Sequence, residues 1–159
     1  MATTKKQVYQ FLSFKLTSEL EAMFLTEELG EILTIDLSQV VPIFDLYSAM
    51  MGVYNHRGEI LWVVDLPCLL GLPPLYKQNY RNSCSVTIVE KGNKVLGLAV
   101  PQVGQLVLSH QGQIQPSQTQ TNLPKLAFCL KGEKRSLKGK TLLALDRDKI
   151  FELVDREQR

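Results

Sequence analysis

The side chains in this sequence able to do chemistry are few. They are two histidines, His56 and His110, three cysteines, Cys68, Cys84 and Cys129, and the consecutive acids Glu27 and Glu28. A covalent nucleophile needs a base beside it. Neither histidine lies in a GxSxG elbow or next to a cysteine in a recognisable signature, so the sequence gives no catalytic residue and no hydrolase. Two histidines without a third ligand do not make a metal centre, and no CxxC pair is present. Glu27 and Glu28 are adjacent and point different ways on a helix or a strand, which does not suit paired acid and base work. GxGxxG and Walker patterns are absent, so no cofactor is expected. His56 reads as a surface histidine at a turn, and His110 as the start of a polar loop.

The elements that carry these residues belong to a chain of 159 residues with 45% hydrophobic content, enough to bury a core as one domain or as two small lobes sharing one. Lys+Arg 18 against Asp+Glu 16 gives a net charge of +2, and no basic stripe is interleaved with aromatics, so nucleic acid is not an expected partner. The basic run from Lys131 to Lys140 is interrupted by two glycines and reads as a solvated hairpin tip. An odd, scattered set of cysteines with no leader peptide at the start points to buried thiols in a soluble, cytoplasmic protein. No apolar run approaches the ~20 residues of a membrane helix, so direct membrane insertion is not expected.

Periodicity assigns mostly strands. Leu12, Phe14 and Leu16 alternate with Ser13 and Lys15, the period of a half-buried strand. Across SELEAMFLTEELGEIL, the spacing of Leu20, Phe24 and Leu29, with Gly30 as a cap, predicts a helix, although EILTID beyond it is strand-like. MGVYNH and EILWVVDL form two β arms joined at Arg57-Gly58, a hairpin. Asp65, Pro67 and Gly71 are placed to cap, start and end one or two helical turns. Residues 72–83 form a Pro- and Asn-bearing connector and the expected boundary between lobes. CSVTIVE and KVLGLAV flank a second hairpin at Lys91-Gly92-Asn93, and QLVLS is a further strand. The glutamine-rich segment HQGQIQPSQTQTNLP is expected to be a mobile loop. KLAFCLKG and TLLALD read as a last hairpin, and RDKIFELVDREQ as a terminal helix with Ile150, Leu153 and Val154 on one face.

An internal echo points to two lobes. Gly58-EILWVV-Asp65 and Gly139-KTLLAL-Asp146 each place a glycine seven residues before an aspartate. Each aspartate is followed by an apolar pair, Leu69 and Leu70 or Ile150 and Phe151, which suggests strand, cap and helix twice over. Short strands at hairpin spacing favour closed barrels, which leave no open edge.

Asn55-His56-Arg57-Gly58-Glu59-Ile60, Val64-Asp65-Leu66 and Leu69-Leu70-Gly71 resemble the signature of the chemotaxis coupling protein family, CheW, and of the regulatory domain of its partner histidine kinase. Leu29-Gly30-Glu31-Ile32, VTIVEKGNKVLGLAV and LLALDRDKIF resemble further parts of the family pattern, so the likeness covers most of the chain. Trp62 stands where the family usually has proline, and Pro101 where it usually has aspartate.

The resemblance implies a mainly β fold: a single domain over residues 1–159, made of two interleaved five-stranded SH3-like barrels around a shared apolar core, with short helices and a C-terminal helix. It implies a non-catalytic adaptor between the cytoplasmic tip of a chemoreceptor-type or photoreceptor-type protein and the regulatory domain of a CheA-like histidine kinase. Family members serve flagellar, pilus-driven and light-directed movement. Receptor tips would dock in the groove between lobes, and the kinase domain, itself of similar fold, would pair with the lobe ends. Partner-binding residues expected on this basis are Glu31, Ile32, Asn55, Arg57, Gly58, Leu98 and Val100, with Glu31 and Arg57 forming a pair and Asn55 ordering the turn. Asp65 is expected to cap a helix. The rival readings are a free-standing barrel that binds a peptide or small ligand in its interior, which requires a roomy apolar cavity, and a cryptic enzyme.

Overall fold

The computed structural model describes residues 7–78, 82–116, 122–136 and 138–158. Ten strands form two curled five-stranded sheets. In chain order they are β1 (Val8–Lys15), β2 (Glu21–Leu25), β3 (Ile32–Asp36), β4 (Met50–His56), β5 (Glu59–Asp65), β6 (Ser83–Lys91), β7 (Lys94–Val100), β8 (Gln102–His110), β9 (Leu130–Arg135) and β10 (Thr141–Leu145). The helices are α1 (Leu66–Leu69), α2 (Leu75–Gln78), α3 (Pro124–Cys129) and α4 (Arg147–Glu157).

The first sheet has the order β8-β1-β2-β10-β9 and the second β3-β6-β7-β5-β4. The two orders match strand for strand, and each has its single parallel pair at the same place, β2 with β10 and β7 with β5. Followed along the chain, strands 3-4-5-6-7 of one lobe correspond to 8-9-10-1-2 of the other, so each lobe is a cyclic permutation of its neighbour. The echo seen in the sequence is this repeat: β5 runs into α1 and β10 into α4. Both aspartates act alike. The Asp65 N–H donates to the Ala49 carbonyl and its Oδ1 accepts from the Cys68 N–H; the Asp146 N–H donates to the Cys129 carbonyl and its Oδ1 accepts from the Asp148 N–H.

The chain passes between lobes twice, from β2 to β3 and from β7 to β8. The segment 72–83, expected as the boundary, instead joins α1 to β6 within the second lobe. Pro101 sits at the second crossing, where no ladder N–H is needed, so the missing donor costs nothing.

Two expectations of secondary structure fail for the same reason. The helix expected from Ser18 to a cap at Gly30 is β2 and a 3-10 turn at Thr26–Glu28, whereas EILTID beyond it is β3, strand as its pattern suggested. Ala22, Met23 and Phe24 are all fully buried, which a strand clamped between β1 and β10 achieves and a surface helix cannot, so tertiary packing overrides helix propensity. Gly30 caps no helix; its N–H donates to the Ile88 carbonyl. Conversely, Lys125 to Cys129, read as strand, is α3, started by Pro124 and packed on α4. β1 is buried at Phe11, Leu12, Ser13 and Phe14 without alternation. Ser13 is tolerated there because its hydroxyl exchanges two hydrogen bonds with the Gln105 backbone across a bulge in the β1–β8 ladder. Part of the glutamine-rich segment, residues 117–121, lies outside the described residues; before it, Gln115 bridges to Glu133.

An apolar seam joins the lobes. It contains Phe14 and Phe24, stacked at 5.4 Å, with Val64, Leu66 and Leu70 from the β5–α1 unit and Leu145, Ile150 and Phe151 from the β10–α4 unit. Each lobe also has its own interior cluster, Leu61, Val63, Val86 and Ala99 in one and Phe11, Met23, Leu142 and Ala144 in the other.

Two substitutions test this architecture. Gly52 has φ +141°, and a Cβ there would collide with the Val41 carbonyl, so Gly52→Ala is expected to cost more than about 3 kcal/mol by chemical denaturation. Asp65 is buried; its Oδ2 also accepts from the Leu75 N–H, and desolvation pushes its carboxyl up from 3.8 against the lowering by those two N–H bonds. In Asp65→Asn the amide N–H meets the Leu75 N–H, for an expected loss of about 1–3 kcal/mol. A raised folded-state value means that the stability from this carboxyl is complete below 3.8 and fades as pH rises through the raised value. Denaturation of both proteins across that range is expected to show the wild-type advantage shrinking with rising pH.

Candidate functional site

The β4–β5 hairpin turns on two left-handed residues, Arg57 at φ 53° and Gly58 at φ 83°. Left-handed backbone at both central positions matches the right-handed twist of the strands, and Gly58 adopts it without a Cβ penalty. The Gly58 N–H donates to Asn55 Oδ1 at 2.9 Å, so Asn55 orders the turn, as expected. Gly58 and Asn55 thus act through the backbone, while the arginine side chain is what the turn presents.

Glu31 faces it from the crossing that enters β3. Its position is fixed by backbone bonds on either side: the Gly30 N–H donates to the Ile88 carbonyl, and the Ile88 N–H to the Glu31 carbonyl. One Arg57 Nη donates to Glu31 Oε1 at 2.9 Å, so the structure brings the two residues together as the sequence suggested. The pair is exposed, with the arginine side chain 75% accessible.

A third member was not foreseen. His56 Nε2 lies 3.2 Å from Glu31 Oε2, the imidazole stacked 6.5 Å from the Tyr54 ring. Read from the sequence, His56 was a surface histidine at a turn with no partner assigned. The left-handed turn swings Arg57 back, and both side chains reach one carboxylate. Adjacency to Arg57 was the one signal available in the sequence.

Leu98 and Val100 are corrections. At 0% and 2% exposure they belong to the inter-lobe seam, where Leu96, Leu98 and Val100 line one face of β7 while Ala99 fills the lobe interior on the other, so neither offers a surface. Ile32, by contrast, is exposed on the edge strand β3. An apolar face not read from the sequence lies beside Arg57. Asn55 pairs with Ile60 and Val53 with Trp62, and Val41 bridges to Val53, so Val41, Val53, Ile60 and Trp62 share the outer face of the β4–β5 edge. Val41, Ile60 and Trp62 are 58%, 64% and 40% exposed. The signal was present: EILWVVDL is apolar on both strand faces; Leu61 and Val63 fill the lobe interior and Val64 takes the other face into the seam, which leaves Ile60 and Trp62 of that face outside. Trp62 also walls an open cleft of about 580 Å³ formed with Tyr47, Met50, Leu96 and Phe151.

Elsewhere the chemistry is quiet. Burial raises the thiols of Cys84 to about 11 and Cys129 to about 12, and desolvation also raises Cys68, so none is a ready thiolate. Among the described residues no three His, Cys, Asp or Glu side chains are placed to hold a metal ion, and no helix is long and apolar enough to cross a membrane. Glu28 is held among Lys131 at 3.5 Å and Arg147 at 3.8 Å; desolvation raises its carboxyl, and those cations oppose the rise. The basic hairpin is partly tied down, Lys140 facing Glu21 at 3.8 Å and Lys134 donating to the Leu108 carbonyl.

An exposed pair contributes little to folding. Glu31→Gln is expected to change unfolding free energy by less than about 1 kcal/mol, as read by urea denaturation.

No curated protein matches the chain in sequence. Among solved structures, the scaffolding protein TtCheW from Thermoanaerobacter tengcongensis is similar over 92% of this chain and 94% of its own, with a TM-score of 0.76 and 19% identity, a likeness of fold. The model of the CheW-like domain matches residues 10–155, from within β1 to the last turn of α4, and with the paired lobes, the capped repeat and the Asn55–Gly58 turn in place, the chain belongs to the CheW-like domain family.

Proposed function

We propose that the protein is a non-catalytic adaptor of a chemotaxis-type array, working in the cytoplasm, where it couples receptor cytoplasmic tips to the regulatory domain of a CheA-like histidine kinase. The observation that carries this reading is the end of the second lobe. There an exposed charged pair, Glu31 and Arg57, adjoins an exposed apolar face of Val41, Ile60 and Trp62. Exposed apolar residues grouped beside a polar rim are the composition of a protein-binding surface. A kinase regulatory domain of similar fold would cover the apolar face, and a receptor helix would engage Arg57 and Ile32 at the edge of β3.

The rival reading, a barrel binding a ligand in its interior, is less well supported. Leu61, Val63, Val86 and Ala99 occupy one lobe and Phe11, Met23, Leu142 and Ala144 the other, each no more than 8% exposed. Burial raises the thiols of Cys84 and Cys129, which does not suit a nucleophile.

Calorimetry with the kinase regulatory domain and with a two-helix receptor-tip fragment tests the proposal. Micromolar binding of the kinase domain is expected, weakened at least about tenfold in Ile60→Asp, since burying that face would then bury a charge. Arg57→Ala retains a Cβ and hence the backbone strain of the turn, so it is expected to leave stability within about 1 kcal/mol while weakening the receptor fragment. Equal losses of folding and binding in Arg57→Ala, or no binding of the kinase domain, would sink the proposal.

A further inference from the structure

His56 is the polar side chain at this end of the molecule that the turn and the apolar face do not account for. Its ring is fixed on two sides, by the Tyr54 ring at 6.5 Å and by Glu31 Oε2 at 3.2 Å. Glu31 therefore accepts from both neighbours, one carboxylate oxygen to each: Oε1 to Arg57 and Oε2 to His56. An isolated exposed carboxylate would rotate freely and lose side-chain entropy on pairing; held at Oε2, it offers Oε1 in one direction. Arg57 carries five N–H donors, and its bond to Glu31 is made through one Nη. With 75% of the side chain accessible, most of the fork remains open to solvent.

We propose that His56 is a positioning residue: it fixes the carboxylate of Glu31, which in turn aims Arg57, and the open side of the guanidinium takes a carboxylate presented on the helical surface of the receptor tip. The occupant follows from charge complementarity, because a planar fork with open donors recognises carboxylates bidentately. Other charges facing the histidine are few. Glu59 lies opposite it in the β4–β5 register, and Arg57 follows it in the chain. The imidazole is directed at Glu31 and not at Glu59, so Glu59→Gln serves as the control. The assignment of the receptor helix rests on the adaptor reading above; the arrangement of the three side chains does not.

The two parts are tested separately. In the free protein, the side-chain N–H signals of Arg57 are followed by NMR in the wild type, His56→Leu, His56→Gln and Glu59→Gln. Glutamine can donate to Oε2 in place of Nε2, and leucine cannot. Expected are restricted Arg57 signals in the wild type, His56→Gln and Glu59→Gln, and motionally averaged ones in His56→Leu. Calorimetry with the receptor-tip fragment is expected to show binding weakened about five- to tenfold by His56→Leu, the scale of one ordinary hydrogen bond, because the loss reaches Arg57 only through Glu31, and restored to within about twofold by His56→Gln. A fragment with its exposed glutamates changed to glutamine is expected to bind the wild type and His56→Leu alike. Unchanged Arg57 signals in His56→Leu, or failure of His56→Gln to restore them, overturns the positioning role. Undiminished binding of the glutamine fragment to the wild type overturns the carboxylate. Restricted Arg57 signals with no binding of either fragment overturn the adaptor reading and leave the positioning role standing.

Discussion

The seam between the lobes sets the geometry of everything else. Val64, Leu66 and Leu70 reach it from one strand–cap–helix unit, Leu145, Ile150 and Phe151 from the other, with the Phe14–Phe24 stack between them. Removing a single large side chain from such a cluster typically costs about 2–5 kcal/mol, several times what any exposed ion pair here contributes. Each unit enters the seam on an aspartate that satisfies the first N–H groups of its helix, so a polar cap fixes where each apolar face points. The ion pairs from α4 to the β6–β7 hairpin, Lys94 with Asp155 at 2.6 Å and Lys91 with Asp148 at 3.7 Å, trim an orientation the seam has already set.

A seam on one side of the central strands and a lobe interior on the other leave function to the edges and ends. This is why Leu98 and Val100, on β7 in the middle of the second sheet, cannot be contacts. Ile32 on an edge strand and the β4–β5 turn at a lobe end remain available. The lobe crossing between β2 and β3 then has a second consequence. It brings Glu31, a residue leaving the first lobe, to the tip of a hairpin that belongs wholly to the second, 26 residues away in sequence.

How much of this was legible depended on how local each cause was. The Arg57–Gly58 hairpin, the Asp65 cap, the terminal helix and the twofold echo rest on turn chemistry, capping and strand period within a few residues, and all are present. The segment from Ser18 to Gly30 was misread because its helical spacing is real but subordinate: a strand between β1 and β10 buries Ala22, Met23 and Phe24 together, and no window on the segment alone reveals those neighbours. The lobe boundary failed similarly, since a Pro- and Asn-rich composition marks a connection without saying what it connects. At the site, the Glu31–Arg57 pair followed from family likeness. His56 was missed because its direction depends on a left-handed turn at the next residue.

Trp62 stands where the family resemblance implies a proline, and its place in the ladder suits either residue. On one side it pairs with Val53 of β4; on the other, β7 joins β5 only from Val63 onward, so residue 62 lies where the ladder has an open edge. A proline is tolerated at such a place because no partner waits for its N–H, and a tryptophan is tolerated equally, its ring lying outside the seam. The change is therefore nearly free for folding and large for the surface, adding a broad aromatic wall between the Ile60 face and the cleft bounded by Phe151. Substitutions of this kind, cheap in the ladder and conspicuous at an exposed end, are where a shared scaffold acquires its choice of partner.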